Sequence, residues 1–148
     1  MTGSILVPMD GSPLSEEAFR YALDQFPEAS ITVLHVVDLS QPGYGVETDY
    51  ETSYEPLMGS EEWYERAEAA AERLFSEARD VAAEYDREID TESEIGDPKR
   101  IIVDYAAEED VDGIVIGAHG RPDPDRSLFG SIAELVARRA TVPVTLVR

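Results

Sequence analysis

The stretch that decides the fold is Gly113-Ile114-Val115-Ile116-Gly117-Ala118-His119-Gly120, followed nine residues later by Gly130-Ser131-Ile132. A short, wholly apolar run reads as a strand buried on both faces, as parallel strands are. The glycines that end it let the backbone approach a ligand closely, and the run from Ala133 to Arg139 reads as the helix that follows. Strand, glycine-rich connection and helix start together make a site where main-chain N–H groups meet anionic oxygens, phosphate above all. This predicts a nucleotide-binding module.

Outward from that stretch, strands and helices alternate. Ile5-Leu6-Val7-Pro8 is a second apolar run, and it ends in Met9-Asp10-Gly11-Ser12-Pro13, where Ser12 suits a helix cap and Pro13 the first helical position. Leu14, Ala18, Tyr21, Ala22 and Phe26 recur at helical spacing, and Pro27 stops that helix. Residues 31–37 are rich in β-branched side chains and read as a strand. Ser60 caps a long helix reaching to about Asp86, with Trp63, Ala67, Ala70, Leu74, Ala78, Val81 and Tyr85 as its apolar stripe. Residues 89–95 form a weak, polar strand. Asp97-Pro98 opens a helix carrying Ile101, Ile102, Tyr105 and Ala106, and residues 142–147 close the chain as a strand.

The order βαβαβαβαβ demands a parallel sheet with right-handed crossovers. The apolar first, second and fourth strands belong inside. The polar third belongs at an edge, as does the fifth, because Pro143 cannot donate to a ladder. The expected fold is therefore α/β, a five-stranded parallel sheet in the order 3-2-1-4-5 with helices on both faces, Rossmann-like, in one domain spanning residues 1–148. In that order the first and fourth strands are neighbours at the switch point, and ligands bind beyond the carboxyl ends of such strands. Asp10 and the residues from Gly117 to Gly120 stand there. Residues 39–60 have no clean period and are expected to form a mobile insert or lid, against the plainer reading of a solvated loop.

Composition bounds the function. The 148 residues carry 32 acidic and 12 basic side chains, a net charge of −20, and Lys99 is the single lysine. Scarce lysine together with abundant carboxylate predicts a protein suited to a cytoplasm near molar salt. At about 1 M ionic strength the Debye length is ~3 Å, so an acidic surface does not repel a nucleotide held by local donors. No basic stripe exists for nucleic acid. No apolar run is long enough for a membrane, no signal segment opens the chain, and there are no cysteines, so a cytoplasmic location is expected.

With those residues in view, the chain resembles the universal stress protein family, in its ATP-binding branch, over nearly its full length. The likeness is carried by Val7-Pro8-Met9-Asp10-Gly11-Ser12, Leu34-His35-Val36-Val37-Asp38, Gly117-Ala118-His119-Gly120, Gly130-Ser131 and Val142-Pro143-Val144-Thr145-Leu146-Val147. The family's nucleotide motif is glycine, two residues, glycine, nine residues, glycine, then serine or threonine, and this chain matches it without a gap. The resemblance implies an adenine nucleotide alpha hydrolase-like fold that binds ATP, ADP or AMP with Mg2+. It implies that Pro8, Asp10 and Val36 surround adenine and ribose, and that Ile116 and Gly117 lie beside the nucleoside. His119 and Gly120 would lie near the phosphates, with Gly130, Ser131 and Ile132 completing the cradle. It further implies a homodimer through residues 142–147. No metal ligands are assigned.

Several of these positions have a second reading. Asp10 either meets the ligand or braces the first helix. His119 either meets the phosphates or fills space. Ser131 with Glu134 fits a capping box, so Ser131 serves the helix, the phosphate or both. Gly11 and Gly113 read as turn glycines, and His35 as a satisfied core histidine. The expected function is a nucleotide-dependent regulatory or stress-response module. The alternative is a slow ATP hydrolase or phosphotransferase. Against that alternative, a Walker lysine pattern is missing and no general base is evident beside the glycines. In the nine-residue span, Asp123 and Asp125 would repel a triphosphate unless offset by Arg121, Arg126 or a cation.

Overall fold

A computed structural model describes residues 3–38, 60–118 and 130–148. Nine elements alternate in chain order: β1 (Ser4–Pro8), α1 (Pro13–Gln25), β2 (Ser30–Asp38), α2 (Glu61–Glu84), β3 (Asp90–Gly96), α3 (Pro98–Glu108), β4 (Gly113–Gly117), α4 (Ser131–Arg139) and β5 (Val144–Val147). The sheet is wholly parallel with the order β3-β2-β1-β4-β5, as the apolar and polar runs required. Residues 39–59, most of the expected insert, and the motif residues His119 and Gly120 lie outside the described residues.

The sheet separates two cores. Ile5, Val7, Ile31, Val33 and Val115 point to one face and meet Phe19 and Leu23 of α1 and Leu74, Phe75 and Val81 of α2. Leu6, Leu34, Val36, Ile114 and Ile116 point to the other, against Ile102 and Ala106 of α3 and Ala133 and Val136 of α4. This alternation is the period-two geometry of strands buried on both sides. β3 has no fully buried residue, in keeping with its edge position. Pro143 stands just before β5 and contributes only its carbonyl, which accepts from Ile114 N–H at 2.9 Å.

The caps are those the sequence announced. Ser12 Oγ accepts from Ser15 N–H at 3.2 Å, Ser60 Oγ from Trp63 N–H at 3.2 Å, and Asp97 Oδ1 from Lys99 N–H at 3.1 Å. The apolar stripes needed correction. On α1, Tyr21 is exposed, and the buried positions are Ser15, Ala18, Phe19, Ala22 and Leu23. On α2, Ala71, Phe75 and Ala82 are buried, whereas Ala70 and Tyr85 are half-buried. Both helices lie flat on a sheet, so each buries a wider arc than the single row the spacing picked out.

Candidate functional site

The feature that opens a site is a short ladder. β1 pairs with β2 over five residues, but with β4 only through Ile5–Gly113 and Leu6–Ile114. Beyond Leu6 and Ile114 the register runs away from the switch point, Val7 and Pro8 pairing with β2, and Val115 to Gly117 with β5. A crevice therefore lies between the carboxyl ends of β1 and β4.

One lip is the turn after β1. Met9 N–H donates to Leu34 O at 2.9 Å. Asp10 is half-buried, and its Oδ1 accepts from Ser12 N–H at 2.9 Å, so one carboxylate oxygen braces the turn. Oδ2 has no partner among the described residues and is available to a hydroxyl or amine. Both readings of Asp10 are compatible, one oxygen for each. Gly11 has φ +84°, which only a residue without a Cβ adopts freely, so it is a turn glycine as expected.

The other lip is the start of α4. Ala118 N–H donates to Val147 O at 2.8 Å, and Ala118 O accepts from Gly130 N–H, which pins the helix start beside the end of β4. Gly130, not Ser131, is the N-cap, and no side chain caps it. The capping box expected of Ser131 and Glu134 is not formed. Glu134 N–H instead bonds to Gly130 O at 2.9 Å, and the Glu134 carboxylate pairs with Arg138 at 3.1 Å. The first-turn N–H groups of α4 thus lack intrahelical acceptors, and Ser131 is exposed beside them. Orphan donors at the positive end of a helix suit an anion.

The apolar residues converge on one face. Val36 and Ile116 belong to the α3/α4 core, and Ile132 packs against it. Pro8 is buried and two residues along β1 from Leu6, so it shares that face. On the opposite face, a Cβ on Gly117 would lie 3.1 Å from both the main-chain carbon and oxygen of Leu14. Gly117 lacks a side chain to admit α1, a packing requirement that the sequence did not reveal. Gly113 is corrected. It lies within β4, where a Cβ would come within 3.3 Å of Ile5 Cδ1, so it is a close-packing glycine and not a turn glycine.

His35 is buried at 2% exposure, but it is only half satisfied. Its Nδ1 lies 3.0 Å from Met9 O, and because a carbonyl only accepts, Nδ1 carries the proton. Nε2 is buried without a partner among the described residues, a defect worth about 1–3 kcal/mol. The ring is set edge-on to Phe75, with centroids 6.5 Å apart. The apolar run around His35 gave no sign of its reach to Met9, which is a contact between strands.

The Universal stress protein family profile matches residues 1–148. The chain belongs to the universal stress protein family. Universal stress protein MJ0531 of Methanocaldococcus jannaschii is 34% identical over 147 residues, covering 97% of this chain and 81% of the relative. Among solved structures, universal stress protein UspA from Lactobacillus plantarum superposes with a TM-score of 0.77 at 28% identity, covering 99% of this chain and 97% of that one. A family protein from Arabidopsis thaliana with AMP bound shares the fold at a TM-score of 0.66 and 16% identity, covering 98% of this chain and 90% of that one. The α/β fold of this universal stress protein, a five-stranded parallel sheet in the order 3-2-1-4-5, is thus shared with solved members of the family.

Proposed function

We propose that this chain binds an adenine nucleotide, ATP, ADP or AMP, in the crevice between β1 and β4 and acts as a nucleotide-dependent regulatory module. The observation that carries the proposal is the β1–β4 ladder ending at Leu6–Ile114, with Asp10 Oδ2, which has no partner among the described residues, on one lip and the start of α4, which has no side-chain cap, on the other. Asp10 accepts from ribose hydroxyls or the adenine amine. Pro8, Val36 and Ile116 line the nucleoside end, and Gly130, Ser131 and Ile132 receive the phosphates, with His119 and Gly120 completing the motif. The AMP carried by the Arabidopsis relative supports the ligand class.

Among the described residues no group of three or more acidic or histidine side chains is placed to hold a metal ion. Mg2+ accompanies the nucleotide as the counter-ion of its phosphates, keeping most of its waters. Two copies join along the outer edge of β5. A net charge of −20 with a single lysine suits a salt-rich cytoplasm.

Mass spectrometry of small molecules released on denaturing the purified protein is expected to show adenine nucleotide. Calorimetry in molar KCl with Mg2+ is expected to show saturable binding, weakened by Asp10→Asn, which keeps the turn-bracing oxygen and loses the charge. Absence of heat with ATP, ADP and AMP alike overturns the proposal. Phosphate release well above background would move the protein to the hydrolase alternative.

A further inference from the structure

We propose that His35 is a positioning residue of this site: through its Nδ1–H it fixes the Met9–Asp10 peptide, and with it the direction of the Asp10 carboxylate. This rests on the nucleotide reading above.

The β1–β2 ladder has Pro8–Leu34 as its last pair. Just past it, Met9 N–H still reaches Leu34 O at 2.9 Å, but the Met9 carbonyl is held by a side chain, His35 Nδ1, at 3.0 Å. The next fixed point along the chain is Ser12, whose N–H binds Asp10 Oδ1 and whose side chain caps α1. Asp10 and Gly11 therefore span a two-point suspension. One end is set by the helix cap, the other by an imidazole that β2 and the edge of Phe75 hold in place. Gly11, at φ +84°, adds no stiffness of its own, so the imidazole contact limits how the Asp10 peptide can rotate.

The cost of the histidine supports this assignment. A leucine here would fill comparable space and bury no ring nitrogen, whereas His35 Nε2 has no partner among the described residues. The one thing the ring supplies that an apolar side chain cannot is the proton on Nδ1. A local rule broken in the core, with its only return at a ligand-bearing turn, is how positioning residues present themselves.

Binding and stability therefore separate. Asparagine carries an amide nitrogen at the same bond distance from the backbone as Nδ1, so His35→Asn keeps a donor for Met9 O, while His35→Leu removes it. Calorimetry with AMP and with ATP is expected to show at least a tenfold loss of affinity in His35→Leu, by the same factor for both ligands because the nucleoside end is affected. His35→Asn is expected to recover most of that loss. Thermal denaturation without ligand is expected to rank them oppositely: His35→Leu stays near wild type, because the relieved Nε2 defect and the newly unpartnered Met9 carbonyl are of similar size, and His35→Asn falls below it, because the smaller side chain leaves buried space. A purely structural role would make affinity follow stability, and that result overturns the inference. Nitrogen-15 spectra of the wild-type imidazole supply a ligand-free test: Nδ1 is expected to carry the proton, and a proton on Nε2 overturns it. Wild type that binds neither AMP nor ATP sinks the nucleotide reading and this inference together. Wild type that binds while His35→Leu binds equally well sinks this inference alone.

Discussion

The main-chain carbon and oxygen of Leu14 lie 3.1 Å from where a Cβ on Gly117 would stand. The first turn of α1 rests directly on the last residue of β4, so α1 closes this end of the strand on the α1/α2 face. Gly117→Ala is accordingly expected to destabilise the ligand-free protein by about 1–3 kcal/mol, because backbone cannot yield as a flexible side chain can. Urea denaturation measures this, and an unchanged midpoint would show that α1 moves freely.

Ser131→Ala separates capping from ligand binding. Since Gly130 is the N-cap and Ser131 makes no cap bond, the loss of stability is expected to stay below about 0.5 kcal/mol. Affinity for AMP is expected to fall several-fold while affinity for adenosine holds. A stability loss typical of a broken cap, about 1 kcal/mol, would contradict the geometry.

Val144→Pro tests the β5 edge. Pro143 and Val147 direct their carbonyls to β4, accepting from Ile114 and Ala118. Alternation then turns the N–H of Val144 outward. Removing that donor spares the β4 ladder but blunts pairing along the free edge. Sedimentation analysis is expected to shift from dimer to monomer, with nucleotide binding retained. A dimer that persists unchanged would place the interface elsewhere.

Tyr105 gives a pH dependence. Burial raises its pKa above the ordinary value, with Glu92, Glu109, Glu94 and Asp90 adding to the rise because each carboxylate disfavours a phenolate. The folded protein thus holds the proton more tightly than the unfolded chain. The resulting stability is present in full below the unfolded pKa, near 10, and is lost as pH rises through the folded value. Denaturation midpoints between about pH 8 and pH 11 are expected to fall less steeply in Tyr105→Phe. Equal slopes would show that the acidic face of β3 does not reach the phenol.

The architecture was legible because it follows from short-range contrasts. Apolar Ile5–Val7 and Ile114–Ile116 against polar β3 fixed which strands lie inside, and Ser12-Pro13, Ser60 and Asp97-Pro98 marked three helix starts. That Asp10 and Gly117 stand at the carboxyl ends of neighbouring strands followed from the strand order. Other points failed for one physical reason, that they depend on what stands opposite in space. Ser131 with Glu134 looked like a cap until the N-cap fell one residue earlier, at Gly130, whose carbonyl took the Glu134 amide while Arg138 took the carboxylate. The need for glycine at 117 to admit the main chain of Leu14 gave no sign in the sequence.

Sequence alone determined the alternation of strands and helices, the sheet order and the end of the sheet at which the turn after β1 and the glycine that ends β4 stand. Each of these is carried by periodicity and by residues whose backbone preferences are their own. Only the tertiary structure decided that β1 and β4 part after two pairs, that Gly117 serves helix packing, and that His35 holds Met9 with half its ring unsatisfied. Those are contacts between segments far apart in the chain, and their energies depend on a distance and an orientation that only packing sets.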